Sequence, residues 1–94
     1  MSYIAIILED LKKILNKLAT KDKVLSTAVY NKIEQICSCD EDMIEQHYKN
    51  LKYEFSDYKR VHVTKSFVLL FNVDKKDKKI YFFRLDHHDK IYNR

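Results

Sequence analysis

Residues 60–85 read RVHVTKSFVLLFNVDKKDKKIYFFRL, and their periodicity decides the fold. Arg60 to Thr64 alternate strictly. Val61 and Val63 share one face, and Arg60, His62 and Thr64 the other, which is the two-residue period of a strand with one buried side. Phe67 to Val73 are almost continuously apolar, the pattern of a central strand covered on both faces. Residues 74–78 (DKKDK) form a polar hairpin loop, and residues 79–85 (KIYFFRL) return as the next strand. Strand-like runs separated by short polar links predict an antiparallel sheet.

Working outward toward the N-terminus, the period changes. Leu11, Ile14, Leu15 and Leu18 recur at i, i+3, i+4 and i+7, with Lys12, Lys13, Asn16 and Lys17 on the opposite face. This predicts an amphipathic helix ending near Ala19-Thr20, with Glu9 and Asp10 at the positive end of its dipole. A second helix is predicted from about Asp22 to Cys37, with Val24, Leu25, Ala28, Val29, Ile33 and Ile36 as its apolar stripe and Thr20 or Asp22 as its cap. The short link makes the two an antiparallel hairpin. Before them, residues 3–8 (YIAIIL) read as a short buried strand, with a helix start as the rival reading, and as a strand the run would most simply pair within the same sheet. After them come a polar turn at 38–42 and a possible helical turn at 43–48. The predicted fold class is α+β: an N-terminal strand, a helical hairpin, then a mainly antiparallel sheet of three or four strands, one helical layer on one sheet.

Composition bounds the function. The 94 residues suit one domain, expected to span 1–94. Gly and Pro are both absent, where average usage would supply roughly six or seven and four or five. Gly-rich phosphate loops, dinucleotide fingerprints and EF-hands are therefore excluded. The longest uncharged apolar run, Tyr3 to Leu8, is far short of the ~18 residues of a membrane span. Acids follow it at once, which argues against a signal peptide. Cys37 and Cys39 are too close for an easy disulfide and do not make a zinc site, so a reduced, cytoplasmic protein is expected. Charge is uneven: residues 1–46 carry six Lys and eight Asp/Glu, residues 47–94 twelve Lys/Arg and six Asp/Glu. All four His also lie in the second half. That asymmetry points to a polyanion partner, or more plainly to a solvated basic surface.

The candidate chemistry lies on the polar face of the strand at 60–64. Arg60 and His62 share that face about 7 Å apart. Lys52, Lys59 and Arg84 are candidates to join it, and His87, His88 and Tyr92 to close over its edge. The set combines phosphate-binding cations with groups that move protons near neutral pH. RNA scission by transesterification needs such a set: a base for the ribose 2′-hydroxyl, cations for the charge that builds on phosphorus, and an acid for the leaving 5′-oxygen. No metal or other cofactor is needed. Plainer roles stay open: His62 as a solvent-facing residue, His87-His88 as an exposed turn, Tyr92 as a packing aromatic. Asp86, His87, His88 and Asp89 are neighbours in sequence whose side chains diverge, so no metal site is expected.

The order strand, helical hairpin, then YKRVHV…SFVLLFNVDKKDKKIYFFRLDHHDKIY resembles the RelE/ParE superfamily of toxins. Arg60 and His62 match the family's Arg-x-Arg on the basic strand, with His in place of the second Arg. Lys52, after Leu51, matches its Leu-Lys. Residues 87–92 (HHDKIY) fit its ending His-Arg-x-x-Ile/Val-Tyr, with His88 where Arg is common. Phe67 matches an aromatic position, and Val68 stands where many relatives carry Arg. The resemblance implies an mRNA endoribonuclease of the RelE branch, acting on the ribosome and held inactive by an acidic antitoxin. It implies that Arg60, His62, His88 and Tyr92 are catalytic and that Lys52, Lys59, Arg84 and His87 bind RNA. The alternatives are a non-enzymatic, ParE-like gyrase inhibitor, or an inactive module of the same fold that binds RNA or protein.

Overall fold

The computed structural model describes residues 3–39 and 58–88. Its elements are β1 (Ile4–Ile7), α1 (Glu9–Lys21), α2 (Lys23–Cys37), β2 (Lys59–His62), β3 (Phe67–Asp74) and β4 (Lys79–His87). The four strands form one sheet in the order β1-β4-β3-β2. The β2–β3 and β3–β4 pairs are antiparallel, and β1 runs parallel to β4. The α+β architecture expected from the sequence is therefore present. The expected helical turn at 43–48, and Lys52 and Tyr92, lie outside the described residues.

The helices meet at a single residue. Asp22 donates its backbone N–H to the Leu18 carbonyl (2.8 Å) and accepts from the Ser26 N–H (3.0 Å). Its carboxylate accepts from the Leu25 N–H at 3.1 Å, an N-cap that satisfies one of the orphan donors of α2. Thr20, the other candidate cap, instead donates its hydroxyl to the Lys17 carbonyl. From α1, Leu11 and Leu15 are buried, while Ile14 is 41% exposed. From α2, Leu25, Val29, Ile33 and Ile36 are buried, but Val24 is 80% exposed. The stripe runs 25, 29, 33, 36, and position 24 is turned about 100° away from it, so Val24 does not join the core as expected.

These helices cover one face of the sheet. Leu11, Leu15, Val29 and Ile36 pack with Leu69, Phe71, Ile80 and Phe82 in one cluster. Each side chain of that size contributes about 1.5–3 kcal/mol when fully buried. On the opposite face Val68 and Leu70 form a second small cluster with Phe83 against it. All four central residues of β3, Val68 to Phe71, have no exposed surface, as the unbroken apolar run predicted.

β1 departs from expectation. Among the described residues it is an edge strand rather than a buried one, with Ile4 58% exposed and β4 as its one neighbour. The β3–β4 loop manages its turn without glycine. Lys78 takes the left-handed conformation (φ 58°), and the Asp74 carboxylate accepts from the Asp77 N–H at 3.1 Å. No helix among the described residues is long and apolar enough to cross a membrane.

The β3–β4 ladder carries one irregularity that positions the site. Leu70 faces Arg84 and Phe71 faces Phe82, so Phe83 is an extra residue on β4. Such a bulge reverses the phase of the alternation beyond it. Phe82 points to the helices, and a regular strand would send Arg84 to the same side. The bulge instead sets Arg84 opposite Leu70, on the face away from the helices.

Candidate functional site

The face away from the helices is organised in ranks across the strands, because residues directly opposite in a ladder share a face. One rank runs Arg60–Leu70–Arg84 and the next His62–Val68–Asp86. Adjacent strands are ~4.8 Å apart, so the two arginines stand about 10 Å apart with the buried Leu70 between them. The ranks are themselves separated by two residues of β3, about 7 Å. A third rank, Asn72–Tyr81, lies on the far side of the arginines. Tyr58 directly precedes β2, and its ring centroid is 4.5 Å from that of Phe83.

His88 completes the imidazole end. It follows β4 directly, and its backbone N–H donates to the Ser66 carbonyl at 2.6 Å. This turn of the chain brings its ring to 5.2 Å from the His62 ring, with 31° between the planes. His62 is exposed and His88 half-buried. Arg84 is held in place by Asp86, two residues along the same strand: Nε and Nη2 both donate to one carboxylate oxygen, at 3.1 and 2.8 Å. The other Asp86 oxygen accepts from the His87 N–H at 3.0 Å. One guanidinium is thus oriented by a carboxylate beside the imidazole pair.

Arg60, His62, Arg84 and His88 are therefore gathered on one face. Two other expected members are not. Lys59 pairs with Phe71, which points to the helices, and it is only 8% exposed. His87 pairs with Phe67 and sets its ring edge-on against that ring, 5.6 Å away. Phe67 packs against the helix-side core. Both placements have one cause: each residue is an odd number of positions from a member of the site on a regular stretch of strand. Lys52 and Tyr92 lie outside the described residues.

Sequence reasoning had also missed Asp86 as the clamp on Arg84, and the aromatic rank. Asp86 was legible as an i, i+2 neighbour of Arg84 once a strand was assigned. The position of Phe83 was not, since no glycine marks the bulge. Cys37 contributes no nucleophile. Burial, and next its neighbour Cys39, push its thiol from 9.0 up to about 11, so it stays protonated at neutral pH. Among the described residues no group of three or more His, Cys, Asp or Glu could hold a metal ion.

Chemically, the face sets two imidazoles beside two guanidiniums, with the buried Val68 and Leu70 between the strands that carry them. Groups of these kinds can bind a phosphodiester and take part in acid–base chemistry on it.

No family model matches the chain. A protein of Methanocaldococcus jannaschii named "Putative toxin RelE4" is 44% identical over 88 residues, spanning 94% of this chain and 88% of that one. Among solved structures, the toxin–antitoxin complex RelBE2 of Mycobacterium tuberculosis matches with a TM-score of 0.68 at 18% identity, over 94% of this chain and 100% of that one. The archaeal RelE–RelB complex of Pyrococcus horikoshii matches with a TM-score of 0.67 at 20% identity, over 93% and 96%. These structural likenesses concern the fold.

Proposed function

From the premise that this chain belongs to the RelE toxin family, we propose that it is a metal-independent endoribonuclease that cuts mRNA on the ribosome and so arrests translation. The observation that carries the reading is the pair of imidazoles, His62 and His88, 5.2 Å apart on the face that holds Arg60 and Arg84. One imidazole takes the proton of the ribose 2′-hydroxyl. The 2′-oxygen then attacks phosphorus, and the bond to the 5′-oxygen breaks. The second imidazole gives that oxygen its proton. The products are a 2′,3′-cyclic phosphate and a 5′-hydroxyl. Arg60 and Arg84 bind the non-bridging oxygens, whose charge rises in the transition state, and Asp86 keeps Arg84 in register. Lys52 and Tyr92 are further candidates for phosphate binding and for stacking or proton transfer.

A translating target makes the cytoplasm the site of action. The basic second half of the chain suits neutralisation by an acidic partner that folds on binding, so an antitoxin is the proposed regulator. The test is induced expression with and without the adjacent reading frame, followed by primer extension on cellular mRNA. Discrete cuts that vanish on co-expression are expected. Growth arrest without cuts, accompanied by loss of supercoiling in a gyrase assay, would replace this reading with the ParE-like one. Val68, where many relatives have Arg, is the feature that favours that second reading.

A further inference from the structure

Beyond the two arginines, the same face of the sheet holds a depression of about 720 Å³, whose lining includes Tyr58, Asn72, Tyr81 and Phe83 together with the charged Asp74 and Lys75. We propose that this depression is a nucleobase subsite, which stacks the base of a nucleotide next to the phosphate held by Arg60 and Arg84. The inference rests on the ribonuclease reading and names the part of the substrate that reading leaves unheld.

Size is the first argument. Small-ligand pockets span about 300–1,000 Å³, so a base and its ribose fit here. Position is the second. Phe83 directly precedes Arg84, and Tyr58 precedes Arg60 by two residues. Along β3, Asn72 follows Leu70 by two residues, about 7 Å. A chain whose phosphate lies on the arginine rank therefore delivers a neighbouring base to the aromatic rank.

Chemistry is the third. Tyr58 and Phe83 set their rings 4.5 Å apart at 51°, and Tyr81 stands opposite Asn72 in the ladder. Flat aromatic walls beside a cationic track are the means by which proteins hold single strands. Asn72 adds a carboxamide, with donors and an acceptor on one group, of the kind that pairs with the edge of adenine. The bulge gives these residues their place. Phe83 is the extra residue that the ladder does not need. It packs on Val68 and Leu70, yet remains half-exposed and lines the depression. A residue serving only to cover two aliphatic side chains needs no aromatic ring, and Leu in its place would serve.

That contrast defines the experiment. The full chain is titrated with single-stranded oligoribonucleotides that carry 2-aminopurine at successive positions around one 2′-deoxy link, which blocks cleavage. Fluorescence should be quenched strongly at one position flanking that link. Phe83→Leu and Tyr58→Leu, each shown by circular dichroism to be folded, should abolish that quenching and weaken binding by roughly 5- to 150-fold. Asn72→Ala should flatten base preference at the same position in cleavage assays. If the parent binds and cuts RNA while both leucine variants keep its affinity and quenching, the subsite is refuted and the ribonuclease reading stands. Quenching and affinity for RNA that stay unchanged while capture of a protein partner is lost would assign the depression to that partner and also refute the subsite. If the parent neither binds nor cuts RNA, both readings fall together.

Discussion

Removing His62 and His88 one at a time and then together tests whether they act on the same phosphodiester. A positioned acid or base contributes about 10²- to 10⁴-fold, which is roughly 2.7–5.5 kcal/mol of barrier for each. The ring centroids are 5.2 Å apart, and on the proposed mechanism each imidazole comes within ~2.6–3.2 Å of one of the two oxygens, 2′ and 5′, of a single link. Two groups serving one step are strongly non-additive. His62→Ala and His88→Ala should each lose about 10²–10⁴ in cleavage rate. The double variant should lose no more than about tenfold beyond the worse single one, because Arg60 and Arg84 still bind and stabilise the phosphate.

The assay is single-turnover cleavage of a fluorogenic oligoribonucleotide at saturating protein. A substrate with sulfur in place of the 5′-oxygen assigns the roles, because a thiolate leaves without a proton. It should restore the variant that lacks the acid and leave the other slow. Folded single variants within threefold of the parent would refute the assignment, as would losses that multiply fully in the double variant.

Three further outcomes follow from the geometry. Replacing Arg60 by Gln should reduce the slope of log affinity for single-stranded RNA against log salt by about 0.7, the value for one phosphate contact, as measured by fluorescence anisotropy. Asp22→Ala removes the carboxylate that caps α2 and should cost about 1 kcal/mol, a fall in melting temperature of about 4–8 °C for a chain of this size. Cys37 is ordinarily a thiol of pKa 9.0 and is raised to about 11 in the fold. The unfolded chain therefore loses its proton first, and stability should decline between those two pH values in denaturant titrations. At pH 8 an alkylating reagent should modify Cys39 before Cys37.

What the sequence made legible, and what it hid, divides along a physical line. Period and composition exposed the strand at 60–62, the central strand and both helices, because each depends on which side chains face a large apolar layer. Arg60 and His62 were readable for the same reason: they alternate with valines. Lys59 was misplaced by grouping it with neighbouring cations, although its odd spacing from Arg60 already sent it to the helix side. The choice between His87 and His88 depends on where β4 ends and the chain turns, which local pattern does not encode. Arg84 shows the limit most clearly. Alternation from Ile80 assigns it to the core, and only the extra residue Phe83 returns it to the open face. The run at 3–8 looks alike for a central strand and for an edge strand, since periodicity reports the faces of a strand and not its neighbours in the sheet.

The position of Val68 bears on how this face stabilises charge. It lies between His62 and Asp86 in the ladder and has no exposed surface. An arginine at 68 would stand beside Asp86 and compete with Arg84 for its carboxylate. With valine there, Asp86 is left to Arg84, whose two nitrogens it holds. On the proposed mechanism, the second cation is thus supplied from β4, through the bulge, rather than from the middle of β3. Val68 and Leu70 then form a dry floor beneath both arginines, where charge–charge interactions are stronger than over water. The test of this compensation is a pair of variants. Arg84→Gln should cost cleavage about as much as Arg60→Gln, and Val68→Arg in the Arg84→Gln background should restore part of the rate. A folded Val68→Arg, Arg84→Gln chain with no recovery would refute the exchange of roles.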